Sequence, residues 1–148
     1  MTTNRKAELT RGYREGFGQF ELLRTKWPKA FPAKSHEVRP LASGAVRVVM
    51  ETLSWSHPYT RGVLMTWKLR AAYCRAVLGY PQRVNLDGSV SGEEVDDRAR
   101  AGAQERLDKI AARAAEKAEK LRALKEGNSQ DEILEPGRAP MPVRDVAM

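Results

Sequence analysis

The chain has 148 residues, with 26 Lys and Arg against 19 Asp and Glu, a formal net charge of +7 and one cysteine. That length supports one domain with flanking segments, large enough to fold without metals or disulfides. The lone Cys74 excludes an internal disulfide, and with only His36 and His57 beside it no Cys-rich zinc site can be built, so neither a metal nor a cofactor is expected.

The charge is unevenly placed. Residues 1–83 hold 15 Lys or Arg against 5 Asp or Glu, a net of +10, whereas residues 84–148 hold 11 against 14, a net of −3. Such asymmetry points to a basic docking surface in the first part and a self-compensated second part. No apolar run approaches the ~20 residues a membrane helix needs. Residues 1–10 lack the apolar stretch of a signal peptide, and a reducing cytoplasm is expected.

In chain order, Tyr13, Phe17, Phe20 and Leu23 recur at helical spacing and predict a helix that covers the core and ends before Pro28. Residues 27–40 contain three prolines and read as an extended connector. Pro40 suits the first turn of a second helix, whose apolar stripe is Leu41, Ala45, Val48, Val49, Thr52 and Leu53. A turn follows near residues 55–58. Over residues 59–78 the positions Val63, Leu64, Trp67, Ala71, Cys74 and Leu78 share about a third of a helical wheel. This stretch is one helix or two, broken near Thr66, and Trp67 and Cys74 are expected in the core. Arg61, Lys68 and Arg75, spaced by sevens, form a ladder of cations on the neighbouring edge.

Gly79 and Pro81 end that segment. In residues 83–90, Val84, Leu86 and Val90 are expected to face one side of a hairpin, with Asp87-Gly88 at its tight turn. Ser91-Gly-Glu-Glu94 reads as a capping box that opens a helix able to run to Glu126. Leu107, Ala111, Ala114, Ala118 and Leu121 give that helix a thin apolar seam. Residues 127–148, rich in Gly, Asn, Ser and Pro, read as a disordered tail.

The chemistry concentrates between Glu51 and Asp87, where no acidic residue occurs. Arg61, Lys68, Arg70, Arg75 and Arg83 lie there among Trp55, Tyr59, Trp67, Tyr73 and Tyr80. Cations replace counterions on phosphates and aromatic rings stack on unpaired bases, so the pattern points to nucleic acid. Tyr73 falls clear of the core stripe and is expected to be accessible; Arg83 can either meet a phosphate or pair with an acid such as Asp87. No triad, Walker loop or dinucleotide fingerprint is present, and no enzyme is expected.

Three pieces in order, Trp27-Pro28-x-x-Phe31, Arg39-Pro40-Leu41-x-x-Gly44, and Tyr73 followed ten residues on by Arg83-Val-Asn-Leu-Asp-Gly88, resemble the FinO/ProQ RNA-chaperone domain over about residues 14–110. The resemblance implies a mainly α fold, a compact helical domain with one β-hairpin, here with an extended C-terminal helix. The expected organisation is a basic N-terminal segment, 1–13, the domain, 14–110, a charged helical extension, 111–126, and the tail, 127–148. It also implies a concave basic face that binds a terminator-like stem and its single-stranded 3′ tail, with Arg61, Tyr73 and Arg83 at positions of the family's RNA-binding face and Arg39, a further RNA-binding candidate, at its Arg-Pro-Leu. Lys68, Arg70 and Arg75 join them as candidates on the charge pattern. The chain departs from the family at Ala42, where a basic residue is usual, at Trp67-Lys68-Leu69-Arg70 in place of tyrosine-threonine-x-serine, and at Asn85 in place of an acid. The expected partners are structured RNAs, bound by a monomer that protects them and promotes small-RNA or antisense pairing. A double-stranded DNA regulator reading a groove with residues 61–75, and a protein adaptor using the C-terminal helix, are the alternatives.

Overall fold

The computed structural model describes residues 4–134. The element order is α1 (Arg5–Lys26), a short 3-10 turn (Ser35–Glu37), α2 (Ala45–Leu53), α3 (His57–Lys68), α4 (Ala71–Gly79), β1 (Gln82–Val84), β2 (Val90–Glu94) and α5 (Asp97–Leu134). The fold is therefore mainly α with one hairpin and a long last helix. The chain divides into two units, Met1–Lys109 and Ile110–Met148; the core and every candidate site residue lie in the first.

α1 starts where the Asn4 side chain accepts from the Ala7 N–H at 3.1 Å, the usual way to satisfy an orphan donor of a first turn. It runs through the expected boundary at residues 13 and 14 and packs on α3 through glycines: Gly12 meets Gly62, and Gly16 sits against Thr66. That close approach sets the rotation of α1. Gly12, Gly16, Phe20 and Leu23 turn inward, while Tyr13 and Phe17, expected on the buried side, stand exposed.

The connector buries Ala30, Phe31 and Val38. Pro40 does not enter a helix. Its carbonyl accepts from the Val84 N–H at 2.8 Å and the Ala42 N–H donates to the Val84 carbonyl at 2.9 Å, so Leu41 bridges β1 in parallel and α2 begins only after Gly44. Ser56 caps α3, accepting from the Tyr59 N–H at 3.2 Å, with proline in its first turn.

The expected break near Thr66 falls instead at Leu69 and Arg70, where Arg70 is extended, with ψ 146°. Thr66 stays helical, its hydroxyl donating to the Gly62 carbonyl at 3.0 Å. Trp67 lies in the core with the rings of Phe20 and Phe31 edge-on to it, both at 5.2 Å; Cys74 is buried too, and burial pushes its thiol pKa up.

β1 and β2 pair antiparallel, Gln82 opposite Glu94 and Val84 opposite Val90, with a bulge between. Gly88 at φ +91° makes the turn and Gly92 at φ +82° the bulge, conformations that glycine adopts without a Cβ penalty. Val84 and Leu86 face the core, but the bulge leaves Val90 outside. Ser91 caps no helix: its hydroxyl donates to the Arg83 carbonyl at 2.7 Å within the hairpin. The cap of α5 is Asp96, whose carboxylate accepts from the Ala99 N–H at 2.8 Å.

From residue 110 onward α5 exposes Leu121 and Leu124. It passes the expected end at Glu126 and stays helical to Leu134; the rest of the expected tail lies outside the described residues. Among the described residues no helix is long and apolar enough to cross a membrane.

Candidate nucleic-acid interface

The end of α3, the inner face of α4, β1 and the first turns of α5 surround a cleft of about 350 Å3. Met65 and Lys68 come from α3, Tyr73 from α4, Arg83 from β1, and Ala103 and Arg106 from α5. The residues that shape it also hold one another. The Leu41 N–H donates to the Tyr73 hydroxyl at 2.9 Å, and the Leu41 carbonyl accepts from Arg83 Nη1 at 3.1 Å. Glu93 lies 3.4 Å from Arg83 Nε, and its other oxygen accepts from the Ser43 N–H at 3.0 Å and the Ser43 hydroxyl at 3.1 Å. The Arg-Pro-Leu segment is thereby tied to the hairpin and to α4.

Lys68 differs from its neighbours. It is half-buried, and among the described residues its ammonium has neither a hydrogen bond nor an ion pair. Burial first, then the Arg83 guanidinium, depress its pKa, and Glu93 partly opposes them. A desolvated cation repelled by a second one is stabilised by an incoming anion. Lys68, Arg83 and Arg106 all line the cleft and, among the described residues, no acidic side chain lines it, so the cleft favours a negative group. The Tyr73 hydroxyl already accepts from Leu41, and burial pushes its pKa up, which keeps its own proton available to donate.

The seven candidates separate into groups. Lys68, Tyr73 and Arg83 meet in the cleft. Tyr73 is buried, 5 % exposed, contrary to the accessible ring expected: the Arg70 kink turns α4 so that the ring enters the core and the hydroxyl edge lines the cleft. Arg83 pairs with Glu93 rather than Asp87, and two of its nitrogens are engaged within the protein. Arg61 is exposed on α3, on the face of Met65 and Lys68 and about 10 Å before Lys68 along the axis. The cation ladder stops there, because the kink moves Arg75 to a separate cleft with His36 and Tyr80. Arg39 stacks on Tyr80 at 4.3 Å beside Lys29 and Glu37, and Arg70 lies over Trp67 at 4.6 Å.

Arg106 and Glu93 complete the site without having been singled out from sequence. Arg106 Nε donates to the Leu69 carbonyl at 3.0 Å, closing the α3–α4 corner. The signal was Ala99, Gly102, Ala103 and Arg106 at helical spacing, a face of small residues that lets α5 approach. Tyr73→Phe should cost about 1–2 kcal/mol in urea unfolding, because the buried Leu41 N–H loses its acceptor.

No curated protein matches the sequence. A solved structure, of a FinO-like RNA chaperone from Neisseria meningitidis, is similar at 20% identity and a TM-score of 0.46, covering 70% of this chain and 91% of that one. The model of the ProQ/FinO family matches residues 20–120, well over half of the sequence, and these residues carry the whole cleft: the chain belongs to the ProQ/FinO family.

Proposed function

We propose that this protein is a non-catalytic RNA-binding chaperone that grips a structured RNA at the base of a stem and its single-stranded 3′ tail, protects that end and promotes pairing with a small or antisense RNA. The observation that carries the reading is the unpaired, half-buried Lys68 ammonium beside the Tyr73 hydroxyl and Arg83 in one cleft. α4 adds to it: no side chain caps its N-terminus, and Leu69 and Tyr73 on either side of that terminus both line the cleft. Backbone N–H groups without intrahelical acceptors favour a phosphate.

Arg61, exposed on the same face of α3, is placed to meet the phosphates of a duplex entering the cleft. A-form RNA keeps its base edges in a deep groove, so this arrangement suits shape and end chemistry more than sequence. α3 itself buries Tyr59, Thr60, Gly62, Val63, Leu64 and Trp67, which is unsuited to a helix inserted into a DNA groove. Filter binding of one hairpin with and without an oligo-U tail tests the reading. The tailed form should bind at least about tenfold tighter, given ~1.4 kcal/mol per tenfold step; equal affinities would reject 3′-end recognition.

A further inference from the structure

We propose that the outer face of α1 is a second RNA contact, a stacking platform for an unpaired base, built from Tyr13 and Phe17 and flanked by Arg14 and Arg70. It rests on the RNA reading above but uses none of the side chains that line the cleft. Phe17 is 71% exposed and Tyr13 41% exposed, although the other side of the same helix is core. The Phe17 ring leans on Phe20 at 5.1 Å and 52°, and Phe20 meets Trp67 edge-on. The Arg70 guanidinium lies 4.6 Å from the Trp67 ring centre and 5.6 Å from that of Phe20. Three rings and a guanidinium thus run from solvent to the α3–α4 corner. Leu69, the residue before Arg70, lines the cleft.

A ring backed in this way keeps its orientation, so a base can stack on it without first ordering the side chain, and every base presents a face. Arg14, three residues before Phe17, is largely exposed, with Glu15 at a loose 3.9 Å from its guanidinium, and can meet the phosphate beside the stacked base; Glu21, one turn beyond Phe17, bounds the platform on the far side. Exposed aromatics linked through Phe20 and Trp67 to Arg70, whose sequence neighbour Leu69 lines an anion-favouring cleft, fit single-stranded RNA adjoining the gripped stem.

The test uses the full chain and two RNAs: the tailed hairpin alone, and the same hairpin with a flank of about ten unpaired nucleotides, within the span such stacking surfaces cover. Phe17→Ala should weaken the flanked RNA about five- to tenfold, the loss of one stacked base, and leave the tailed hairpin unchanged. Phe17→Trp should restore binding, Phe17→Leu should not, and 4-thiouridine in the flank should crosslink to the peptide that carries Phe17. Equal affinity of Phe17→Ala and parent for both RNAs, equal loss on both, or full rescue by leucine would overturn the platform. Parent protein that binds neither RNA would instead remove the RNA reading itself.

Discussion

Gly62→Ala is expected to destabilise the protein by about 3 kcal/mol, the upper range for overpacking a close contact. A Cβ at this position would lie 2.5 Å from the Leu9 carbonyl oxygen, 2.8 Å from the Tyr13 nitrogen and 2.9 Å from Gly12 Cα. All three are backbone atoms, so no side chain can rotate away and α1 itself must move. That helix is pinned at both ends of the contact: Ser56 donates to Glu8 at 2.8 Å, and Tyr59 donates to Glu15 at 2.6 Å while accepting from Gln19 at 2.8 Å. At roughly 4–8 °C per kcal/mol for a domain of this size, the melting temperature should fall by about 12–24 °C. Gly18→Ala is the control, since a Cβ there meets nothing within 4 Å; it should gain about 0.5–1 kcal/mol from helix propensity. If Gly62→Ala melts like the parent, the two helices are not packed backbone to backbone.

The same contact explains what the sequence concealed. Apolar periodicity locates positions that bury side-chain area, and it found Leu23, Leu41, Val49, Leu64, Trp67 and Cys74, all buried. Gly12 and Gly16 bury backbone instead, and a hydrophobic count credits them with nothing, so the wheel was centred on Tyr13 and Phe17, about 100° away. The hairpin was legible because Asp87-Gly88 carries its own turn chemistry, whereas the Ser91 box was overruled by the bulge at Gly92 and the strand pairing around it. The cation ladder assumed an unbroken helix; the extended Arg70 ended it and at the same time carried the Tyr73 hydroxyl to Lys68 and Arg83. For another reason, Glu93 carried no signal, and the small-residue face around Arg106 marked a close approach of α5 without naming what it meets. Their partners, Arg83 and Leu69, lie 10 and 37 residues away, and only the return of the chain through β2 and α5 brings them together.

Lys68→Met should move stability and RNA affinity in opposite directions. The folded-state pKa of Lys68 lies below its usual value of 10.5 because burial and Arg83 disfavour the ammonium. Below that folded-state pKa the ammonium is charged in both states and its cost to the fold is fully present. Between the folded-state pKa and 10.5 the unfolded chain binds more protons than the folded one, so stability rises with pH across that window. Methionine keeps the aliphatic volume and removes the cost, so the variant should unfold at higher urea than the parent at pH 7 and lack Lys68's share of the alkaline rise. A phosphate in the cleft reverses the balance by pairing with the ammonium, a charge-assisted bond worth about 1.5–3 kcal/mol. The variant should therefore bind a tailed hairpin more than about tenfold more weakly, with a salt slope shallower by about 0.7–0.9, the share of one contact. Lys68→Arg should keep the slope. Loss of affinity together with loss of stability would mean that Lys68 supports the fold instead, and an unchanged slope would place the phosphate elsewhere.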